Sequence, residues 1–346
     1  MNKKIIVTGG LGFIGSNASS RFLRTNDVCI VDNMSKSGSE SNYKHIFADN
    51  HSVDEHLFHI PQNILHPSAS SIAASKIPFL PDCIVHLAGQ TAVTTSIDDP
   101  ANDFENNLHG TIRMLEYARA IDENILFIFS STNKVYGSLG SIELKELDTR
   151  YVPIDGRNLG VDEDRPLDFH TPYGCSKGAA DQYVLDYARN YNITSVVFRQ
   201  SCIYGGRSYP TEDQGWVSWI VKQALLGNTI NIYGTGKQVR DILHVDDLVS
   251  AYCAVLDEHE AGRLSGPNVY NIGGGVDNSI SVLELVFLLE KILNKTIPIK
   301  FFEERKSDQK YYVSDFSKFE SEFDWSPQYN IEAGIKQTIE WWEGVL

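Results

Sequence analysis

Residues 4–15 read Lys4-Ile5-Ile6-Val7-Thr8-Gly9-Gly10-Leu11-Gly12-Phe13-Ile14-Gly15. The apolar run before Thr8 predicts a buried strand, and a helical pattern begins after Gly12. Glycines at positions 9, 12 and 15 let the backbone approach a pyrophosphate and let the helix pack closely on the strand. The helix N-terminus then presents free N–H groups to the anion. This stretch therefore predicts a dinucleotide-binding loop and, with it, an α/β fold.

A second informative segment, Tyr173-Gly174-Cys175-Ser176-Lys177, lies far downstream in a helical pattern. Residues four apart share one face of a helix, so the phenol and the ammonium lie together. A phenol with a pKa of about 10 needs a nearby cation, such as this lysine or a bound nicotinamide, to act as a base. Taken alone, the glycines also fit an ordinary turn, and Tyr-x-x-x-Lys is more typical of a solvated helix face. Both motifs together favour an enzyme that transfers a proton and a hydride.

The composition is that of a soluble globular protein, with 42% hydrophobic and 22% charged residues among 346. The net charge of −15 argues against a nucleic-acid surface and requires a local Arg/Lys cluster for any anionic substrate. No apolar run reaches membrane-spanning length, and the chain enters a strand without a signal peptide. Five scattered cysteines indicate reduced thiols, and no His or Cys spacing matches a zinc site. We expect a cytoplasmic protein without a bound metal.

The first half of the chain alternates short apolar runs with helical patterns, as a doubly wound, Rossmann-type parallel sheet requires. Runs rich in Val, Ile and Phe are typical of strands buried on both faces. The predicted strands are Lys4–Val7, Val28–Val31, Leu57–Ile60, Cys83–Leu87, Ile125–Phe129 and Ser195–Arg199, and the main predicted helices are Ala101–Ala120 and Thr171–Tyr191. The polar stretch 35–52 is poorly patterned, and we expect it to be irregular.

The pattern loosens after about residue 199, which predicts a smaller C-terminal lobe. We expect residues 1–199 to form a dinucleotide-binding domain and residues 200–346 to bind the substrate, with some later segments returning to the sheet. The predicted helices of this lobe are Gln214–Leu226, Val245–Asp257, Ser281–Leu293 and Ile331–Gly344, and its predicted strands include Ile230–Tyr233 and Val269–Ile272.

Polar and small residues follow three of the predicted strands, at the edge where a cofactor would lie. Asp32-Asn33 ends the second strand, and a carboxylate there accepts hydrogen bonds from the adenosine ribose and repels a 2′-phosphate. Asp and Asn are also common caps, but the upstream glycine loop favours NAD binding, and NAD over NADP. Leu87-Ala88-Gly89-Gln90 leaves room for a cofactor, although it also fits a tight turn. The hydroxyls of Ser130-Ser131-Thr132 can hold a substrate oxygen beside Tyr173.

Four motifs occur in a fixed order: TGGLGFIG at 8–15, HLAG at 86–89, SSTNKVYG at 130–137 and YGCSK at 173–177. Together they resemble the extended short-chain dehydrogenase/reductase family of sugar-nucleotide enzymes, and the resemblance covers nearly the whole chain. It implies NAD as cofactor, a nucleotide sugar as substrate, and Thr132, Tyr173 and Lys177 as the catalytic triad. Asn107 matches the helix asparagine that supports the lysine in that family.

The resemblance also implies the remaining binding residues. Arg240 and Arg305 match residues that grip the substrate diphosphate, which suits planar guanidinium groups. Asn63 stands where many relatives carry an aspartate that holds the adenine. The implied cofactor-binding residues are Gly9, Gly12, Phe13, Ile14, Gly15, Asp32, Asn33, Asn63, Ile64, Leu87, Ala88, Gly89, Gln90, Ser130, Tyr173 and Lys177. The implied substrate-binding residues are Thr94, Thr132, Asn133, His170, Gln200, Ser201, Arg207, Gln214, Trp216, Arg240, Arg305 and Asp308.

The residues after Thr132 decide between reaction types. Relatives that dehydrate the sugar carry Asp-Glu directly after the catalytic threonine, whereas this chain carries Asn133-Lys134. An amide and an ammonium do not perform the proton transfers of that acid/base pair, so dehydration is disfavoured. The glutamate that decarboxylating relatives use in this segment is missing too. Epimerisation, by oxidation and re-reduction of the sugar, is the reaction that remains.

Long runs at 89–98, 130–137 and 167–183 resemble one branch of the family, the 2-epimerases of CDP-linked dideoxyhexoses. This resemblance implies inversion at C2 through a transient 2-keto sugar, in lipopolysaccharide O-antigen biosynthesis. Cys202 stands where 4-epimerases carry a substrate-binding asparagine. A UDP- or GDP-hexose 4-epimerase on the same scaffold is the first alternative. A non-catalytic NAD-binding sensor is the second, although such proteins usually lose the Tyr/Lys pair.

The resemblance further implies a homodimer or homotetramer. Relatives pair the helices that correspond to 101–120 and 171–191 across a two-fold axis. Both segments offer apolar residues at helical spacing, some of which must face the sheet: Leu108, Ile112, Leu115, Tyr183, Val184 and Tyr187.

Overall fold

The computed structural model describes residues 2–49, 56–65, 77–121, 124–154, 156, 160–305 and 308–346. In chain order the strands are β1 (Lys4–Thr8), β2 (Asp27–Val31), β3 (Leu57–Ile60), β4 (Cys83–His86), β5 (Ile125–Thr132), β6 (Leu144–Glu146), β7 (Tyr151–Pro153), β8 (Ile193–Gln200), β9 (Cys202–Tyr204), β10 (Ile230–Tyr233), β11 (Val239–His244), β12 (Pro267–Ile272), β13 (Ser279–Ser281), β14 (Ile299–Phe302) and β15 (Tyr311–Tyr312).

The helices are α1 (Phe13–Phe22), α2 (Ser39–Asp49), α3 (Val93–Asp98), α4 (Pro100–Phe104), α5 (Gly110–Ile121), α6 (Thr171–Asn190), α7 (Trp216–Leu226), α8 (Val245–Glu260), α9 (Val282–Leu293), α10 (Ser317–Phe323) and α11 (Ile331–Glu343). A π-helical segment, Glu105–His109, joins α4 to α5, and a 3₁₀ turn, Asn133–Tyr136, follows β5.

A seven-stranded sheet in the order β12-β8-β5-β4-β1-β2-β3 forms the centre of the fold. Strand β1 pairs in parallel with both β2 and β4, so the chain winds outward in two directions from its first strand. Ile5, Ile6 and Val7 are fully buried, which explains why the strand sequences are almost uniformly apolar. The predicted doubly wound α/β fold is confirmed.

Two sequence predictions about helices were wrong. Stretch 35–52 was expected to be irregular, but residues 39–49 form α2, and residues 50–52 lie outside the described residues. Ile46 is fully buried, and Tyr43 and Phe47, four residues apart, pack their rings 4.8 Å apart. The expected continuous helix 101–120 is instead α4, a π segment and α5, preceded by an Asp99 cap that accepts the Asn102 N–H at 3.0 Å.

The chain forms two compact units. The first comprises residues 1–132, 171–199 and 249–270, and the second comprises residues 133–170, 200–248 and 271–346. This differs from the predicted division at 199/200, because residues 133–170 belong to the second unit and residues 249–270 to the first. The later segment returns because β12 pairs with β8 at the edge of the central sheet.

Each unit has its own hydrophobic core. In the first, strand residues such as Ile84 and Phe127 pack with helix residues such as Leu115 and Val184. In the second, α7, α9 and α11 enclose a cluster that includes Val221, Leu289 and Trp342. Among the helices of the described segments, none combines the length and the apolar character needed to cross a membrane.

Candidate active site

The glycine loop joins β1 to α1 with little free space around it. Gly9 has a φ of +67°, and a Cβ there would lie 2.8 Å from the Ala88 backbone nitrogen. A Cβ on Gly15 would lie 2.1 Å from the Gly9 carbonyl oxygen, so α1 packs directly on the loop. Gly12 is the N-cap of α1 and supplies no side-chain acceptor. The first-turn N–H groups, including those of Phe13 and Ile14, therefore point out of the helix end without an intrahelical partner.

The Asp32 carboxylate stands beside this loop. It is 9% exposed, and its two oxygens accept the Leu11 N–H at 2.9 Å and the Met34 N–H at 2.7 Å. Each oxygen keeps capacity for another donor, as a ribose hydroxyl requires. Asn33 is exposed and accepts the Ser35 N–H at 3.1 Å.

Residues 87–90 form the neighbouring edge of the site. Thr8 Oγ1 accepts the N–H groups of Leu87 and Ala88, both at 3.2 Å, and contacts His86 Nδ1 at 2.7 Å. A Cβ on Gly89 would lie 2.6 Å from Asn107 Oδ1, so glycine is required there. The backbone at this strand end is therefore held fixed beside the glycine loop.

These features fit a dinucleotide. The uncapped N-terminus of α1 offers N–H donors to a pyrophosphate, and glycines leave room where a side chain would fill the approach. Asp32 supplies the acceptor for ribose hydroxyls. On the adenine side the fit is weaker: Asn63 is exposed and accepts the Leu65 N–H, while the Ile64 side chain packs in the core of the unit.

Tyr173 and Lys177 lie on the first turns of α6, and both are buried. The Tyr173 phenol hydrogen-bonds to Thr132 at the end of β5, and burial raises its pKa to about 12 against the opposing effect of that bond. The Lys177 ammonium lies 4.1 Å from the centre of the Phe129 ring. Burial lowers the pKa of Lys177 to about 7, while Asp181 and Asp103 act in the opposite direction. The three residues of the predicted triad therefore lie within one unit, and Ser130, two residues before Thr132, is half-buried.

Asn107 lies in the π-helical segment and is 1% exposed. Its Oδ1 accepts the Gln90 N–H at 2.9 Å, and its Nδ2 donates to Asp103 and to Ser176 Oγ, both at 3.1 Å. These bonds connect the strand end at Gln90 to α4 and α6. The support of Lys177 by Asn107, which the resemblance implies, stays a prediction.

Several buried polar residues of this site were missed by sequence reasoning. Asp181, one turn after Lys177, is fully buried and accepts two hydrogen bonds from Arg199, at 3.0 and 3.1 Å. Ser131 donates to the same carboxylate at 2.7 Å. The i+4 spacing of Asp181 from Lys177, and the i−4 spacing of Asp103 from Asn107, are signals that would have located both carboxylates.

In the second unit, a cationic cluster surrounds Arg240 on β11. Its guanidinium donates to Asp308 at 2.7 Å and to its neighbouring carbonyl, that of Val239, also at 2.7 Å. Lys134 contacts Gln309 at 3.3 Å, and burial together with Arg240 lowers the pKa of Lys134 to about 8. Sequence reasoning missed Lys134 as a member of this cluster.

Arg305 lies in a second group of the same unit. Its guanidinium is 4.1 Å from the centre of the Tyr233 ring and 3.0 Å from Asp213. Asp308 links the two arginines, because its N–H donates to the Arg305 carbonyl at 3.3 Å while its carboxylate binds Arg240. The two arginines expected to hold a diphosphate are therefore connected through one residue.

The other predicted substrate residues are distributed between the units. In the first, Thr94 Oγ1 is buried with no hydrogen-bond partner among the described residues. In the second, Asn133 and Gln200 are buried, Ser201 donates to the Asp241 carbonyl at 2.8 Å, and His170 lies 3.0 Å from Asp168. The remaining three are Arg207, with a φ of +64°; Gln214, whose backbone bonds to Thr211; and Trp216, which packs with Cys202 against the core of the unit.

Comparisons with known proteins agree with this arrangement. A family model described as GDP-mannose 4,6-dehydratase matches residues 6–338. The CDP-paratose 2-epimerase of Salmonella typhi is 43% identical over 344 residues, which is 98% of each chain. The UDP-glucuronic acid 4-epimerase of Bacillus cereus, solved with UDP-glucuronic acid and NAD, superimposes with a TM-score of 0.83 at 26% identity, covering 99% of this chain and 100% of that chain. The UDP-glucose 4-epimerase of Thermotoga maritima, solved with UDP-glucose, gives 0.81 at 28% identity, covering 99% of each chain.

Proposed function

The chain belongs to the GDP-mannose 4,6-dehydratase family of extended short-chain dehydrogenases/reductases, and we propose that it is an NAD-dependent nucleotide-sugar epimerase. The proposed reaction inverts C2 of a CDP-linked dideoxyhexose through a transient 2-keto sugar. The 43% identity to a CDP-paratose 2-epimerase over nearly the full length of both chains supports this choice of substrate.

The observation that carries the proposal is the buried Tyr173 phenol, bonded to Thr132 and one helical turn from Lys177. In the proposed reaction Tyr173 takes the proton of the sugar hydroxyl and later returns it. Thr132 holds the same oxygen, and the Lys177 charge favours the phenolate. NAD, when bound to the glycine loop and Asp32, supplies the acceptor and donor of the hydride at the sugar carbon.

The chain's departures from other branches favour epimerisation over dehydration. Asn133 and Lys134 occupy the positions of the dehydratase acid/base pair, and neither supplies a carboxyl group. Cys202 replaces the asparagine expected of a 4-epimerase. For a reaction at C2, next to the anomeric carbon, we propose that Arg240 and Arg305 anchor the diphosphate while the keto sugar turns over. The 4-epimerases among the solved relatives make inversion at C4 the competing outcome.

A panel of CDP-, UDP-, GDP- and dTDP-sugars, followed by NMR, tests this function. We expect inversion at C2 of the CDP-dideoxyhexose alone, with deuterium at C2 retained in the product. Loss of that label to water would indicate enolisation instead, and inversion at C4 would assign the chain to the 4-epimerases. Tyr173→Phe should keep NAD binding and lose roughly two to four orders of magnitude in turnover. Turnover equal to the wild type in this variant would refute the catalytic assignment.

We also propose that the protein is a homo-oligomer. Ile97, Phe104, Tyr183 and Tyr191, on α3, α4 and α6 or just beyond it, are each more than 40% exposed. Leu115 and Val184, named from the helical spacing, are fully buried in the core and are not available to a partner. Sedimentation at micromolar concentration should detect a dimer or tetramer, and a monomer alone would refute this.

A further inference from the structure

The structure places a fully buried carboxylate, Asp103 on α4, beside the proposed catalytic helix. Asp103 Oδ1 accepts a hydrogen bond from Asn107 Nδ2 at 3.1 Å, and its Oδ2 accepts one from Ser176 Oγ at 2.5 Å. Ser176 directly precedes Lys177 in the chain. Burial raises the pKa of Asp103, while the hydrogen bond from Ser176 and the Lys177 charge act in the opposite direction and favour its ionised form.

We propose that Asp103 is a positioning residue whose charge keeps the Lys177 side chain protonated and whose hydrogen bonds fix the turn of α6 that carries it. The proposal rests on the proposed function in one respect, namely that Lys177 and Tyr173 are the catalytic pair. Its electrostatic part follows from the charges around Lys177.

Two carboxylates favour the charged form of Lys177, namely Asp181 on α6 and Asp103 on α4. Asp181 is already engaged by the Arg199 guanidinium through two hydrogen bonds. The hydrogen-bond donors that the structure gives Asp103 are the neutral side chains of Asn107 and Ser176. Asp181 has the larger effect on the Lys177 pKa, but its charge is already compensated by Arg199, whereas Asp103 has no cationic hydrogen-bond partner among the described residues.

Two further described residues near Lys177, His86 and Phe129, do not supply a negative charge. Burial and the Lys177 charge itself lower the pKa of His86, on β4, to about 3, so its ring is neutral. The Phe129 ring on β5 offers a π-face only. Asp103 also acts on Tyr173, whose pKa it raises, so removing its charge affects both members of the pair. The Lys177 titration is consequently the readout that isolates the proposed role.

The test is the titration of Lys177 in the full-length protein labelled with ¹³Cε-lysine, with the resonance assigned by its absence in Lys177→Arg. In Asp103→Asn, which keeps the shape of the side chain and one acceptor oxygen but turns the other acceptor into an N–H donor, the midpoint should fall by about one pH unit or more. Asp103→Ser, the second neutral variant, should also lower the titration midpoint of Lys177. Asp98→Asn removes an exposed carboxylate nearby and should leave the midpoint unchanged.

An unchanged Lys177 midpoint in a folded neutral variant would overturn the inference. If turnover is found, the alkaline limb of kcat should move to lower pH in Asp103→Asn, with KM unchanged. A protein that epimerises no nucleotide sugar would refute the proposed function while the titration still decides the role of Asp103. If the Lys177 midpoint in Asp103→Asn equals that of the wild type while Tyr173→Phe loses turnover, the inference about Asp103 is refuted and the proposed function stands.

Discussion

The substitution Gly15→Ala tests how tightly the cofactor loop is packed. In the interior of a helix, alanine is favoured over glycine by about 1 kcal/mol, so α1 alone would gain stability from this change. The new Cβ would, however, lie 2.1 Å from the Gly9 carbonyl oxygen and 2.7 Å from Gly10 Cα. Both are main-chain atoms, so relief requires a loop shift of about 1 Å or more to restore ordinary contact distances.

Overpacking of this kind costs about 1–3 kcal/mol, and the upper end applies because no flexible side chain can move aside. The net expectation is a loss of about 2 kcal/mol in stability, seen as a fall of about 3 °C or more in the thermal midpoint. The displaced loop should also lose the N–H geometry needed for a pyrophosphate. NAD affinity, measured by calorimetry on cofactor-free protein, should fall about tenfold or more, which corresponds to about 1.4 kcal/mol.

Two glycine variants serve as controls. A Cβ on Gly12 would lie 3.2 Å from the Gly9 oxygen, a much milder contact, so Gly12→Ala should change the thermal midpoint little. It should still weaken NAD binding. A Cβ on Gly140 would lie 3.6 Å from Ser138 Oγ, and Gly140→Ala should change neither property. A Gly15→Ala protein as stable as the wild type, with NAD affinity within about twofold, would refute the packing argument.

Three further predictions concern charge. Asp32→Ala should weaken the binding of NAD and strengthen the binding of NADP relative to it, measured by calorimetry with both cofactors. Tighter binding of NADP than of NAD by the wild type would contradict this. Asp181→Ala removes the carboxylate that binds the buried Arg199 guanidinium, and it should lower the free energy of unfolding, measured by urea denaturation, by about 3–5 kcal/mol. The control Asp186→Ala, which removes an exposed ion pair, should lower it by less than about 1 kcal/mol. Because the Lys177 pKa is lowered to about 7, the unfolded chain binds more protons above that pH, so this residue's contribution to stability should rise with pH until about 10. In Lys177→Met the free energy of unfolding should not show this rise between about pH 7 and pH 10. A pH profile identical to that of the wild type would contradict the lowered pKa of Lys177.

The seven strands of the central sheet and β10 were predictable because their apolar runs satisfy both the local pattern of a strand and the burial that the fold requires. The other strands, most of them short, were not predicted. Leu57–Ile60 and Ile230–Tyr233 begin and end where the apolar runs do. Helix α2 was missed because its apolar residues, Tyr43, Ile46 and Phe47, stand among polar and charged residues, although their spacing is that of a helix. The return of β12 to the central sheet depends on pairing with β8, which no local pattern encodes.

In the site, the residues that the motifs predict to contact a cofactor or substrate stay predictions, and the motifs did not reveal the buried carboxylates Asp103 and Asp181. The glycine loop, Asp32 and the Thr132–Tyr173–Lys177 group lie in one unit, as their motifs indicate. The π segment around Asn107 was missed, since a one-residue slip in hydrogen bonding leaves the apolar spacing of the helix almost unchanged. Arg240 and Asp308, both predicted substrate residues, form a pair. The nearby Lys134 lies in the motif at 130–137 but was not predicted to belong to this group, and its partner Gln309 lies in no motif.

Burial raises the pKa of Tyr173 and lowers that of Lys177, so in both residues it favours the neutral form. Three side chains oppose it: Thr132 stabilises the phenolate by a hydrogen bond, while Asp103 and Asp181 stabilise the ammonium. Neither carboxylate belongs to the two motifs from which the site is predicted. Carboxylates outside those motifs therefore oppose the effect of burial on the Lys177 pKa, and Asp103→Asn should move the pH dependence of turnover in a protein that still folds and still binds NAD.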